Sequence, residues 1–299
     1  MNRRLKFFAL VLMAFAAIVP AHASPVGTAR DTVKRSFTVQ PGGTLFIDVD
    51  FGNVTVESSS DSMVRVEIER LLDGRSEEEA KRILSRHEWR IDQESNDVVI
   101  ESRFERDRDG FLFRGNRSGL RVHVRVIVPR EYNVEFKSGA GNVVIADLKG
   151  TLVGTTGAGN IEVGEVEGSV EIRSGSGNID IAGVDGAVEV NSGAGNVTLG
   201  YVTGQVRANT GAGNVTANIT EQPRGGSILE SGAGSVTVFL AENVGVDVDA
   251  HASVGSASCD FGLRVSGKWM SKTFEGEVNG GGPALTMRSG VGNVALRRM

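Results

Sequence analysis

Residues eighteen apart in the second half of this chain pair acids with acids: Glu162 with Asp180, Glu167 with Asp185, and Glu171 with Glu189. If eighteen residues make one turn of a coil, each pair sits on adjacent strands, with carboxylates about 5 Å apart, the spacing used by retaining glycosidases. Paired acids of this kind also bind calcium through oxygen ligands. A sugar-cleaving cleft would add flanking loops, cations and aromatic platforms, and only Arg173 and Tyr201 stand nearby. The simpler reading is preferred: the six acids face water, where like charges tolerate one another, and form a contact surface with no catalytic role. His87, His123 and His251 are too scattered for a shared metal site. No nucleophile-elbow motif supports a Ser-His-Asp arrangement. Cys259, the only cysteine, reads as a small buried hydrophobe.

The elements that would position these residues come from a repeat. SGAGNV begins at Ser138, and TGAGNI, SGSGNI, SGAGNV and TGAGNV follow at Thr156, Ser174, Ser192 and Thr210. A fixed period near twenty residues marks a solenoid. Within a unit the apolar positions Ile161, Val163, Val166, Val170 and Ile172 are two apart in short runs and offset at the turns. No helix has that pattern, so the expectation is an all-β, single-stranded β-helix or β-solenoid with 18-residue coils and valines stacked inward. The unit halves into nine plus nine, which gives a flattened coil with two main strands. Six-residue periodicity is absent. The period loosens after EQPRGG, echoes at Val254–Ser256 and returns at Ser289–Asn293, while FGNVTV at Phe51 is an early outlier.

The glycine loops hold the chain and not a ligand. Gly139-Ala140-Gly141 lacks the third glycine and following helix of a dinucleotide fingerprint, and no Gly-Lys-Ser/Thr is present for a Walker loop. Asn also stands where the calcium-binding nonapeptide needs an acid. Glycine supplies positive φ at the corner and Asn tolerates the left-handed conformation, with Ala158 or Ser176 fitting inward. Stacked Asn142, Asn160, Asn178, Asn196 and Asn214 then form a coil-to-coil ladder, and the Ser/Thr column from Ser138 to Thr210 can do the same. Triplets such as Asn196-Val197-Thr198 follow from the repeat and are not read as glycosylation sites.

Residues 24–137 form a β-rich N-terminal region, and residues 138–299 the solenoid with irregular C-terminal coils. TLFIDVD, MVRVEIER, DVVIES and LRVHVRVIVP alternate in period two. One helix, about 76–88, starts at Ser76 with Glu79 three residues on, and carries Ala80, Ile83, Leu84 and His87 on one face. The first region is expected to cap the coils, since an open solenoid end exposes strand edges. Arg103 to Gly119 reads as a charged loop with one apolar cluster, Phe111, Leu112 and Phe113.

The chain opens with Arg3, Arg4 and Lys6, an apolar run from Phe7 to Val19 and Ala21-His22-Ala23, so residues 1–23 read as a secretory signal peptide. No later segment reaches the roughly 20 apolar residues of a spanning helix. The formal net charge of −5 becomes about −8 without the signal, which makes nucleic acid a poor partner. A lone cysteine in an exported chain leaves packing and backbone pairing to supply stability.

The SGAGNV turns, VPREYNVEFKSGAGNVVI and the closing VNGGGPALTMRSGVGNVAL resemble an uncharacterised bacterial exported β-strand-repeat family, related to "putative auto-transporter adhesin" (head-GIN) domains. The resemblance covers about Phe37 to Leu296, the repeat half more strongly. It implies a β-solenoid in the envelope, adhesin-like, and brings no catalytic residues. Nothing resembles a membrane-barrel tail, so periplasmic residence is expected as much as surface display. The resulting expectation is a non-enzymatic scaffold for an envelope glycan, surface polymer or protein, with no cofactor beyond an optional calcium. The alternatives are a polysaccharide-acting β-helix enzyme using Glu162 and Asp180, and an envelope-stress or signalling component whose N-terminal region meets a membrane partner.

Overall fold

A computed structural model describes residues 28–73, 77–104 and 119–299. The expected signal segment 1–23, the Ser76 cap and the Phe111–Phe113 cluster lie outside them. The chain is a β-solenoid. A representative turn runs through the strand Val170–Ser176, a glycine corner, the strand Ile179–Asp185, a second corner at Gly186 and the strand Val188–Ala194. Val170 pairs with Val188 and Ile179 with Val197, both in parallel and both eighteen residues on. The two strands of each coil fall in different sheets, of 13 and 12 strands among the described residues.

Stacking places apolar residues in columns between the sheets. One column in the first sheet runs Val54, Val143, Ile161, Ile179, Val197, Val215, Val236 and Val294 in lateral register, each at most 1 % exposed. Burying one such side chain is worth about 1.5–3 kcal/mol. Period-two alternation sends the intervening residues outward, Glu162, Glu167, Asp180 and Asp185 among them.

The corner departs from expectation in two respects: the positive φ belongs to the glycine before each Asn and none of Asn142, Asn160, Asn178, Asn196 and Asn214 is left-handed, and the inward place is not the expected one. Ala158 and Ser176 are exposed, and the inward places belong to Thr156 and Ser174. The alternation that buries Ile172 continues to Ser174, and only then does the chain bend outward. Three hydroxyls of this column bond to the preceding coil: Thr210 to the Gly195 carbonyl at 2.9 Å, Ser231 to that of Gly213 at 2.7 Å, and Ser289 to that of Gly234 at 2.8 Å. Ser138, Ser174 and Ser192 make no such bond.

Each Asn Oδ1 accepts the backbone N–H of the next corner: Asn160 to Asn142 and Asn178 to Asn160 at 3.0 Å, Asn196 to Asn178 and Asn214 to Asn196 at 2.9 Å. The chain of bonds extends beyond the repeat, through Asn53 below Asn142 and through Ser235, Asn293 and Ser256 above Asn214. Asn178→Ala removes the acceptor for the Asn196 N–H, which can turn to water because the corner is exposed. A loss of about 1 kcal/mol is expected, read as a Tm lower by about 2–4 °C. Asn178→Asp keeps the acceptor oxygen and should recover most of it, and equal losses in the two variants would remove the ladder bond as the cause.

Both ends of the stack use the same device. At the first end the coil of Thr44–Val49 and Asn53–Ser59 lies inside one made by Asp97–Phe104 and Leu120–Pro129. At the other, Ala284–Val291 inserts between Ser227–Ala233 and Val246–Val254. Ser289–Asn293 therefore stacks directly on Ser231–Ser235, which accounts for the returning motif. Antiparallel strands then cover the outermost coils: Met63–Asp73 with Thr28–Thr38 and His87–Glu94 at one end, Lys272–Val278 at the other. Charges on Thr28–Thr38, including Arg30, Lys34 and Arg35, discourage further pairing at that edge.

The helix spans Glu77–Leu84, shorter than the 76–88 expected. His87 is not on it but opens the strand His87–Glu94, because the Arg70 guanidinium donates to the carbonyls of Leu84 and His87 and turns the chain there.

Candidate functional site

On the outer face of the first sheet, lateral register sets Val144, Glu162, Asp180, Thr198 and Thr216 in one row. Glu162 and Asp180 are neighbours on adjacent strands, about 4.8 Å apart at the backbone; both are exposed, and neither forms an ion pair among the described residues. In a second row Glu167 is beside Asp185. Glu167 accepts from Arg130 at 3.1 Å, and Asp185 accepts from the Thr203 hydroxyl at 2.8 Å.

Between these rows Glu165, Gly183 and Tyr201 are aligned. The Tyr201 ring lies across Gly183: a Cβ there would be 2.1 Å from a ring carbon. Glycine at 183 thus makes the seat for a half-buried aromatic ring bordered by carboxylates. Burial, then the nearby charge of Glu165 and a hydrogen bond to it, raise the Tyr201 phenol above its ordinary value. It stays neutral at physiological pH.

The second sheet carries the third acid pair in a different setting. Glu171 and Glu189 are adjacent, but Arg173 lies 2.8 Å from Glu171 and 3.9 Å from Glu189. Arg207 continues the row beyond Glu189. Glu171, Glu189 and Arg207, together with Val153, Val170 and Gln205, line an open groove of about 200 Å³. That is below the roughly 300–1,000 Å³ of pockets that enclose small molecules. Tyr201 apart, the residues that sequence reasoning missed are Glu165, Gly183, Thr203, Gln205 and Arg207. Thr203 and Arg207 were reachable by adding eighteen to Asp185 and Glu189.

Among the described residues no three His, Cys, Asp or Glu side chains gather as a metal-holding group, and no helix is long and apolar enough to cross a membrane. One nucleophile–base pair does form. His87 Nε2 lies 2.7 Å from Ser102 Oγ, packed by Phe51 and Phe104. Ser102 is fully buried and His87 3 % exposed, so no substrate reaches them. Burial, with Arg70 repelling and Asp50 opposing, lowers the imidazole from 6.5 to about 4. The pair is a piece of the core.

The model of the family Toastrack DUF4097 matches residues 43–296, every coil of the stack and most of both caps. The chain belongs to the Toastrack DUF4097 family. No curated protein matches this Toastrack chain. Solved structures similar to it include a "putative cell adhesion protein" from Clostridium sporogenes, 15 % identical over 90 % of this chain and 100 % of that one, with a TM-score of 0.26. A "putative adhesin" from Bacteroides fragilis is 13 % identical over 90 % and 97 %, with a TM-score of 0.32. A "putative lipid binding protein" from Parabacteroides distasonis is 11 % identical over 88 % and 96 %, with a TM-score of 0.28.

Proposed function

We propose that this Toastrack protein is a non-enzymatic, extracytoplasmic, adhesin-like scaffold that binds an extended envelope glycan on the outer face of its first sheet. The observation that carries this reading is the Tyr201 ring seated on Gly183 beside Glu165, Asp185 and Asp147, with the Glu162–Asp180 row on the same sheet. An aromatic ring offers apolar area with little side-chain entropy to lose, and carboxylates accept hydrogen bonds from hydroxyls. The stacked coils hold both at fixed spacing. The face is open, so water is not excluded, and no acid sits in an apolar pocket as a glycosidase's general acid does. Export through residues 1–23 puts the chain in the periplasm or at the surface, where such polymers occur.

The test is binding of the purified chain to a glycan array and to envelope fractions, with calcium and with chelator, the supernatants assayed for released sugar. Saturable binding without release is expected, weakened about tenfold by Tyr201→Ala. Loss of binding in chelator would assign calcium to Glu162 and Asp180. Sugar release abolished by Asp180→Asn would establish an enzyme instead, and no glycan binding would move the search to protein partners.

A further inference from the structure

At the C-terminal end of the stack the corners change character. The corner position held by Ala158, Ser176, Ala194, Ala212 and Ala233 in the inner coils becomes Val291 and Val254 in the last two, 58 % and 39 % exposed. The loop 260–271 lies against this corner, its Met270 carbonyl accepting the Gly255 N–H at 2.9 Å. Phe261 and Leu263 pack against the core, but the tip beyond them does not fold inward. All seven residues from Arg264 to Met270 are exposed, Trp269 by 95 % and Met270 by 63 %. The backbone holds them out: Ser266 and Thr273 exchange hydrogen bonds at 2.8 and 3.0 Å, and the Ser271 N–H donates to the Lys268 carbonyl. Trp269 has φ 55°, a left-handed conformation that is an outlier for a bulky residue.

The charge around this tip opposes that of the whole. Residues 261–274 contain Arg264, Lys268 and Lys272 and no acid, in a chain of net charge −5. Among the described residues none of the three forms an ion pair. We propose that this corner docks on an anionic lipid bilayer, with Trp269 and Met270 entering the interface and the three cations meeting lipid phosphates. Tryptophan favours the headgroup boundary, and juxtamembrane cations draw on the negative surface potential. A protruding tip cannot enclose a ligand; something deformable must close around it. The proposal is independent of the glycan reading, which concerns another face.

The experiment uses the full chain in a Trp89→Phe background, so that emission reports Trp269 alone. The apolar run 7–19 could itself enter lipid, and for that reason Trp269 emission, read alongside vesicle flotation, decides the matter. Vesicles of phosphatidylcholine with phosphatidylglycerol should shift the emission to the blue, and pure phosphatidylcholine should not. Replacing Lys268 or Arg264 by Ala should weaken the lipid dependence of that shift about fivefold each, and high salt should do likewise. Met270→Ser, which leaves the reporter in place, should weaken it further, and Trp269→Asn, compatible with the left-handed backbone, should reduce flotation. Emission unmoved by the anionic vesicles, or moved equally by both lipids, overturns the proposal and leaves a protein pocket as the occupant of the tip.

Discussion

Gly177→Ala is expected to destabilise the fold by about 4 kcal/mol or more, enough to remove most of the margin of an ordinary domain. Two costs meet at this corner. Gly177 has φ 119°, and a Cβ there would lie 2.1 Å from the Gly159 carbonyl oxygen and 2.6 Å from its carbon. Neither neighbour can yield, because each belongs to the coil below and is repeated there. The Gly177 N–H also donates to Ala194 at 2.9 Å, and the next residue makes the Asn ladder bond at 3.0 Å, so a shifted corner breaks pairing on both sides. The two costs separate in other variants. Gly262 has φ 77° with nothing within 4 Å of a Cβ, and Gly262→Ala should cost about 1 kcal/mol. A Cβ at Gly175, which lacks a positive φ, would lie 2.4 Å from the Gly157 oxygen, and Gly175→Ala should cost about 2 kcal/mol. Ser176→Ala only reproduces what Ala158 and Ala194 already do, and should stay within about 0.5 kcal/mol. Urea unfolding followed by circular dichroism ranks the four. If Gly177→Ala costs no more than Gly262→Ala, the close approach of the coils is not what fixes glycine there.

The coils were legible because each repeats the same burial problem: Ile161, Ile179 and Val197 solve it identically, and the eighteen-residue interval therefore states their register. The ends were less so. Phe51 and Ser289 carry recognisable echoes of the motif, but the chain leaves the stack after Ser59 and after Leu240 before coming back, and spacing along the chain does not say which coil a returning segment joins. His87 was misplaced for a related reason. It continues the spacing of Ile83 and Leu84, while the helix is ended by Arg70, which comes from another strand and is held by Asp31. Of the candidate surface, the acid pairs follow from the period. The role of Tyr201 does not, since it depends on Gly183 leaving room one strand away.

Stability should fall by about 3 kcal/mol as the pH drops from 6.5 to about 4, on account of His87 alone. Its imidazole is lowered from 6.5 to about 4 by burial first and by the Arg70 charge second, with Asp50 acting the other way. Protonation would place a second cation beside Arg70 and leave a charged Nδ1–H with no acceptor, since Nδ1 is buried without a partner and Nε2 is engaged by Ser102. The unfolded chain pays no such penalty and takes up its proton near 6.5. Between the two values the unfolded state binds more protons than the folded one, so acidification favours unfolding; above 6.5 both forms are neutral and the term is fully present in the fold's favour. Carboxylates contribute mainly below pH 5, which leaves the interval from 6.5 to 5.5 to His87, with a loss of about 1 kcal/mol there. His87→Phe costs stability at pH 8, because Ser102 loses its partner, yet should flatten the dependence in that interval. Urea midpoints at pH 8, 6.5 and 5.5 for both proteins decide it. A wild-type midpoint that does not move between 6.5 and 5.5 would mean that water reaches the ring, and that the Ser102–His87 pair is open enough to be reconsidered as chemistry.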